Sequence, residues 1–436
     1  MPVEPFDISQ FPKVELPRFL KIKQNFKSQK IKDIPGEVQA KMEPHMENLE
    51  GKRIAIGVGS RGIANIATIT KVVVDRLKEA GAIPFIIPVM GSHGGATPEG
   101  QAEMLAGFGI TEETMGCPLD PSMDVESIGE IEPGFPISVA KSAHDADGYI
   151  IIPRVKPHTN FRGPIESGVL KMLCIGLGKQ AGTEQIHTKG FHLFHEVIPQ
   201  VGVYIAQHTN LLFSLTIVEN AYDETYKIET LTKEDVIAMD KEKALLEESK
   251  ALLASLPFQE FDVLVIEEVG KNISGDGQDP NITGLYIGEH MKEFPKPRFQ
   301  KSVVFDVTEE SHGNALGVGM VDLTTWKLYE KANFNFMYMN TWTNTVVAPV
   351  KLPMVLKTSE DALRTAVKFC NNVNPFEHRI VWIKNTLEVS EVIISEPLMA
   401  AAKELSHVEI VTEPTELVFA DGEPQTDLIG SPQVQA

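Results

Sequence analysis

From Lys52 onward, short apolar runs alternate with stretches of helical periodicity. Arg53-Ile-Ala-Ile-Gly-Val-Gly reads as a buried strand, and Ile66, Ile69, Val73 and Leu77 fall on one face of a helix closing at Gly81. Ile83-Pro-Phe-Ile-Ile-Pro-Val supplies the next strand. Strand, helix, strand in that order is a βαβ unit, which calls for a right-handed crossover and a parallel sheet. Thr97 is placed to cap a helix beginning at Pro98. Residues 116–136, acidic and broken by prolines, read as a long surface excursion, and Gly148 to Pro153 returns as a buried strand. A helix over Phe191 to Ala206 and a strand at Leu211-Leu-Phe-Ser-Leu-Thr-Ile-Val-Glu follow. Thr232-Lys-Glu-Asp235 then has the form of a capping box for one long helix to Leu256, ended by Pro257.

A second α/β pattern starts at Phe261-Asp-Val-Leu-Val-Ile and repeats at Gln300-Lys-Ser-Val-Val-Phe. The fold class expected is therefore α/β, with two α/β domains over residues 1–257 and 258–436. The first fifty residues, rich in Pro and Lys, are expected to wrap the first domain, with a short helix near Glu37 to Met46.

A chain of 436 residues exceeds what one compact core accommodates, in keeping with two domains. Its 42% hydrophobic and 23% charged content is that of an ordinary soluble protein. The net charge of -20 argues against nucleic acid and anionic membrane as partners. Cys117, Cys174 and Cys370 form no CxxC pair, so neither a disulfide framework nor a thiolate zinc site is indicated. The opening residues lack a signal peptide's basic start and apolar run, and no stretch is long enough for a bilayer; a cytoplasmic location is expected.

Against that acidic background, Ile151 to Gly190 carries six cations (Arg154, Lys156, Arg162, Lys171, Lys179, Lys189) and two acids (Glu166, Glu184). A surplus of four positives points to an anionic ligand. Lys171 stands among Val169, Leu170, Met172, Leu173 and Ile175, so it either snorkels to solvent or is desolvated. A desolvated lysine has a lowered pKa and serves as a nucleophile or covalent attachment point. His93 and His158 lie in loops after strands, at the sheet edge where open α/β folds bind ligands. Arg61, after the first strand, reaches the same edge and could clamp a carboxylate. His187, His192 and His195 form a cluster without HExxH spacing; it could bind zinc, or supply a single ligand to a metal held otherwise. No Gly-x4-Gly-Lys-Ser/Thr spacing marks a nucleotide triphosphate site.

Arg61, the Gly-Ser-His93 loop, Pro157-His158, Ser167-Gly168 before Lys171, and His187 sixteen residues on together resemble the nickel-dependent lactate racemase family. The similarity is strongest from Arg53 to His187. It implies an isomerase with a nickel-pincer nucleotide (pyridinium-3-thioamide-5-thiocarboxylic acid mononucleotide with Ni) in a cleft between the two domains. Lys171 would tether the cofactor and His187 ligate nickel. His93 and His158 would act as proton acid and base on a 2-hydroxy acid whose carboxylate Arg61 holds, with Lys271 of the second domain as a further substrate contact. The reaction would be racemisation or epimerisation by reversible hydride transfer, with cofactor-maturation enzymes as partners and a homo-oligomer allowed. Val169 and Leu170 replace the family's paired glycines near the tether, marking a divergent branch with a different 2-hydroxy acid. Two alternatives stand beside it: a zinc-dependent lyase or hydrolase using His187, His192 and His195, and a non-catalytic small-anion binding protein.

Overall fold

The structure is a computed structural model describing residues 4–291, 294 and 296–430. Two compact units divide the chain: residues 27–253 form one, and residues up to 26 join 254–436 in the other. Of the first fifty residues expected to wrap the first domain, 27–50 belong to it, whereas those up to 26 join the other unit. Its strand β1 (Phe19–Gln24) pairs antiparallel with strands near the carboxyl terminus, and Phe19, Leu20 and Ile22 are fully buried there.

The 27–253 unit opens with the helix Ile34–Met42, close to the short helix expected. Its βαβ unit then comprises β2 (Arg53–Val58), the helix Ile66–Glu79 and β3 (Ile83–Pro88). Ile66, Ile69, Val73 and Leu77 are buried on one helix face as the spacing required, and β2 and β3 are parallel. Thr97 caps the helix Pro98–Gly107 by accepting from the Gly100 N–H. In place of the expected excursion, β4 (Val125–Glu132) and β5 (Phe135–Ala140) form an antiparallel hairpin. Its inward residues Phe135, Ile137 and Val139 join the core that contains Leu173 and Leu177. The strands β6 (Gly148–Ile152), β7 (Leu211–Glu219) and β8 (Thr225–Thr232) complete the unit. The capping box at Thr232 is present, but Met239, at φ 66°, breaks the expected long helix into Lys233–Ala238 and Asp240–Leu252.

The five-stranded sheet has the order β3-β2-β6-β7-β8, parallel except for β8. Alternate residues feed cores on both faces: Ile54, Ile56 and Ile152 on one, Ala55, Tyr149 and Ile151 on the other. That two-sided burial explains why these strands read as continuous apolar runs. Leaving β2, the chain moves outward to β3 and returns to β6 on the other side of β2. The connections therefore diverge between β2 and β6, which opens a crevice beyond their carboxyl ends.

In the other unit, β9 (Val263–Val269), β10 (Lys301–Val307), β11 (Leu323–Thr325), β12 (Met354–Leu356), β13 (Ile380–Ile383), β14 (Glu391–Ser395) and β15 (Val408–Ile410) form an eight-stranded sheet with β1. The order is β12-β11-β10-β9-β13-β14-β1-β15, and the first five strands are parallel. The two apolar runs that signalled a second α/β pattern are β9 and β10. Among the described residues no helix is long and apolar enough to cross a membrane.

Phe19 meets Trp382 of β13 edge-on at 6.1 Å, one of the contacts that seat β1 in this sheet. Phe19→Ala should destabilise the chain by roughly 3–5 kcal/mol. Denaturant unfolding checks this, and an unchanged midpoint would show that β1 is dispensable to the unit.

Candidate active site

Three loops at the carboxyl edge of the five-stranded sheet meet in one place. After β2, Arg154 pairs with Glu219 and donates to Gly62 O, while Glu219 accepts the Ala64 N–H at 2.6 Å. This fixes the loop bearing Ser60 and Arg61 on its C-terminal side and leaves Arg61 exposed. After β3, Gly91 takes φ +60°, and a Cβ there would lie 2.5 Å from Thr183 Oγ1, so only glycine fits. Its N–H donates to Gly176 O at 3.1 Å, stitching this loop to the segment after Lys171. His93, exposed at the loop's end, lies with Nδ1 2.5 Å from Ser60 Oγ.

After β6, Lys156 and Ser167 exchange backbone hydrogen bonds at 3.1 and 3.2 Å, closing a loop around His158. The Glu166 side chain is wholly buried beneath it. Its carboxylate accepts the His158 N–H at 2.8 Å, contacts Arg162 at 3.4 Å and pairs with Lys250 at 3.2 Å. Lys171 ends the single turn Val169–Lys171, and Met172–Gly176 continues as a π-helix, with the Leu177 N–H reaching Met172 O at 2.8 Å. Such irregular turns recur at functional sites. Glu242 sets the start of this segment. Fully buried, its carboxyl accepts from the Leu170 N–H at 3.4 Å, and a Cβ on Gly168 would come within 2.2 Å of Oε1. Burial pushes the Glu242 carboxyl up to about 7.

Lys171 is half-buried, and its surroundings favour desolvation over snorkelling. Burial first, then the charges of Arg61 and Lys156, lower its ammonium from 10.5 to about 8. The His158 imidazole is held well below its ordinary value by burial, then by Lys171, Arg162, Lys156 and Arg61. Its Nδ1 accepts the Asn160 N–H at 3.0 Å, so in the neutral ring the proton sits on Nε2. His187 is lowered to about 4 by burial and then by Lys171. Its Nδ1 lies 3.2 Å from Thr183 O. A carbonyl only accepts, so Nδ1 bears the proton and Nε2 keeps its lone pair.

One aromatic wall carries both rings. Phe161 lies 4.5 Å from the His158 ring and 5.5 Å from Phe194, and Phe191 and Phe194 pack edge-on to His187 at 5.4 and 5.2 Å.

Arg61, His158, Lys171 and His187 are thus electrostatic neighbours in one crevice, and His93 joins them through Ser60. Lys271 lies in the other unit just beyond β9, where its N–H donates to Ser311 Oγ at 2.8 Å and its ammonium to Gly275 O. Among the described residues no group of three or more His, Cys, Asp or Glu is placed to hold a metal ion, so His187, His192 and His195 do not form the cluster that the zinc alternative invokes. His187 is packed against phenylalanines, whereas His195 is solvent-facing beside Glu196, 3.3 Å away. Glu242 escaped the sequence reading although a signal existed. It shares a helix face with Leu245, Leu246, Ser249 and Leu252, and an acid on an apolar stripe demands a partner.

Residues 60–243 match the family described as a domain of unknown function (DUF362). No curated protein matches the chain. Among solved structures, the lactate racemase apoprotein from Thermoanaerobacterium thermosaccharolyticum is similar at 16% identity and TM-score 0.53, over 85% of this chain and 99% of that one. The chain has the mixed α/β fold of that apoprotein. A β-1,4-mannanase from the sea hare Aplysia kurodai also appears, at 11% identity and TM-score 0.11 over 71% of this chain and 74% of that one.

A lysine lowered to about 8 is half neutral at that pH, whereas one at 10.5 is almost wholly charged. Acylation of Lys171 by an amine-reactive reagent, followed by peptide mass across pH, should rise with a midpoint near 8. A midpoint near that of surface lysines would contradict the desolvated environment.

Proposed function

We propose that the chain is a racemase or epimerase of a 2-hydroxy acid, acting with a nickel-pincer nucleotide attached through Lys171. The observation that supports it is the convergence of one desolvated amine, two neutral imidazoles and an arginine in the crevice between β2 and β6. Such groups match a tether, a metal ligand, an oxygen-binding donor and a carboxylate clamp.

The donor set fits this cofactor better than a free metal ion. His187 presents one lone pair, on Nε2, while its Nδ1–H is anchored on Thr183 O, the backing typical of a ligating histidine. With no cluster of three side-chain ligands among the described residues, a metal here would need most of its ligands from elsewhere. When bound, the pincer nucleotide supplies a hydride acceptor, which no side chain can provide.

The protein's own residues bind and orient the substrate and move its proton. Arg61 projects a fork of donors suited to a carboxylate. Protonation of His158 would set an Nδ1–H against the Asn160 N–H and add charge beside Lys171, Arg162 and Lys156. This favours a constant role for His158, as a neutral ring donating Nε2–H to the substrate oxygen in both alcohol and ketone. His93, solvent-facing and held at Nδ1 by Ser60, then carries the hydroxyl proton. Phe161, Phe191 and Phe194 limit water around the rings. Partners on this reading are the 2-hydroxy acid and the enzymes that build the cofactor.

Production alongside pincer-building enzymes tests the proposal. The chain should gain a cofactor-sized mass mapped to Lys171 and about one nickel, the stoichiometry of a single tether. Lys171→Ala should gain neither. An unmodified wild-type chain, or normal turnover by Lys171→Ala, would overturn it. The division between the histidines has its own test in steady-state kinetics. His158→Gln, which keeps an N–H donor, should turn over about 100-fold faster than His158→Ala. His93→Gln should be no better than His93→Ala, and the opposite pattern would exchange their roles.

A further inference from the structure

We infer that Gln101 and Lys179 are positioning residues for His93, an inference that rests on the proton-carrier role proposed for that histidine. Gln101, on the helix Pro98–Gly107, is 0% exposed. Its Nε2 donates to Gly91 O at 2.9 Å and to His93 O at 3.2 Å, so one amide holds both ends of the turn that carries the imidazole.

Lys179 decides which end of that amide faces the turn. Its side chain is buried, with the residue 1% exposed, and Nζ lies 3.2 Å from Gln101 Oε1 and 2.7 Å from Pro88 O. Below the value of about 8 to which burial lowers it, Lys179 is an ammonium with no lone pair to offer. It therefore claims the amide oxygen and turns the amide nitrogen toward the two carbonyls. Lys179 takes a left-handed conformation, φ 54°, to bring its side chain here at the start of the helix Lys179–His187. That helix also supplies Thr183, which crowds Gly91.

The imidazole itself is held by Ser60, whose Oγ approaches Nδ1 at 2.5 Å. Ser60 precedes Arg61, so the backbone grip of Gln101 and the ring contact of Ser60 together set His93 relative to the carboxylate clamp. An apolar pair would fill the space occupied by Gln101 and Lys179. What it could not do is orient the carbonyls of residues 91 and 93.

Gln101→Glu separates these functions. It preserves shape and a partner for Lys179, but it presents oxygen in place of N–H to Gly91 O and His93 O. In the unloaded full-length chain labelled with 15N-histidine, and with resonances assigned by single His→Ala variants, the His93 ring signals should shift while those of His158 and His187 stay. Unshifted His93 signals overturn the inference whatever the chemistry of the site. In the loaded protein, mass at Lys171 should be unchanged while kcat falls about 100-fold, the scale of a small misplacement of a catalytic group. Wild-type kcat in Gln101→Glu, where His93→Ala is inactive, also overturns it. If His93→Ala is itself active, the proton-carrier reading falls and the resonance experiment alone decides the positioning. Lys179→Met, which frees the amide to turn over, supplies the same readouts should Gln101→Glu not fold.

Discussion

The site depends on holding the half-buried Lys171 beside other cations. Lowering an ammonium from 10.5 to about 8 amounts to roughly 3 kcal/mol in favour of the neutral amine. Arg61 and Lys156 contribute to that shift; burial, then Lys171, Arg162, Lys156 and Arg61, lower His158, and burial, then Lys171, lower His187. Two buried acidic side chains lie just behind these groups, and only Glu166 pairs with cations. Glu166 sits under the His158 loop against Arg162 and Lys250, and Glu242 sits at the start of the Lys171 turn. Neither carboxylate is among the principal influences on the Lys171 amine, so both support the backbone while leaving the amine depressed.

Sheet topology explains why these groups meet. Loops after β2 and β6 part at the point where the chain reverses its direction of winding, and the loop after β3 folds back over the π-helical segment through Gly91. A reactive lysine on an irregular turn would be poorly placed unless both flanks were pinned. Here Glu242 pins one flank and the Gly91–Gly176 hydrogen bond the other.

Much of this was legible in the sequence, and the reasons differ from residue to residue. The strands β2, β3 and β6 are buried on both faces, so each appears as an uninterrupted apolar run, and Thr97 signals its helix by a cap whose chemistry is local. The hairpin β4–β5 was hidden because β4 faces solvent along much of its length and carries three glutamates and a bulge near Gly129. The partner of β1 lies more than 360 residues away, at Val392 to Ser395, and no local periodicity encodes such a pairing. The break at Met239 needs a left-handed residue where the sequence offers neither glycine nor asparagine. Arg61, His93, His158, Lys171 and His187 could be named from order and spacing. Lys179 and Gln101 could not, because a buried polar pair looks like any surface lysine and glutamine until their partners are seen.

On the proposed function, the crevice would invert a hydroxyl-bearing carbon by moving hydride while its histidines handle only the hydroxyl proton. The most direct measurement is conversion of a single enantiomer of a C2-deuterated 2-hydroxy acid in ordinary water by the cofactor-loaded chain, following chirality and isotope together. The expected product is the opposite enantiomer with deuterium retained at C2, because a hydride that leaves and returns never mixes with solvent. Inversion accompanied by replacement of that deuterium with solvent hydrogen would contradict the proposed function and would assign the site to proton abstraction at carbon.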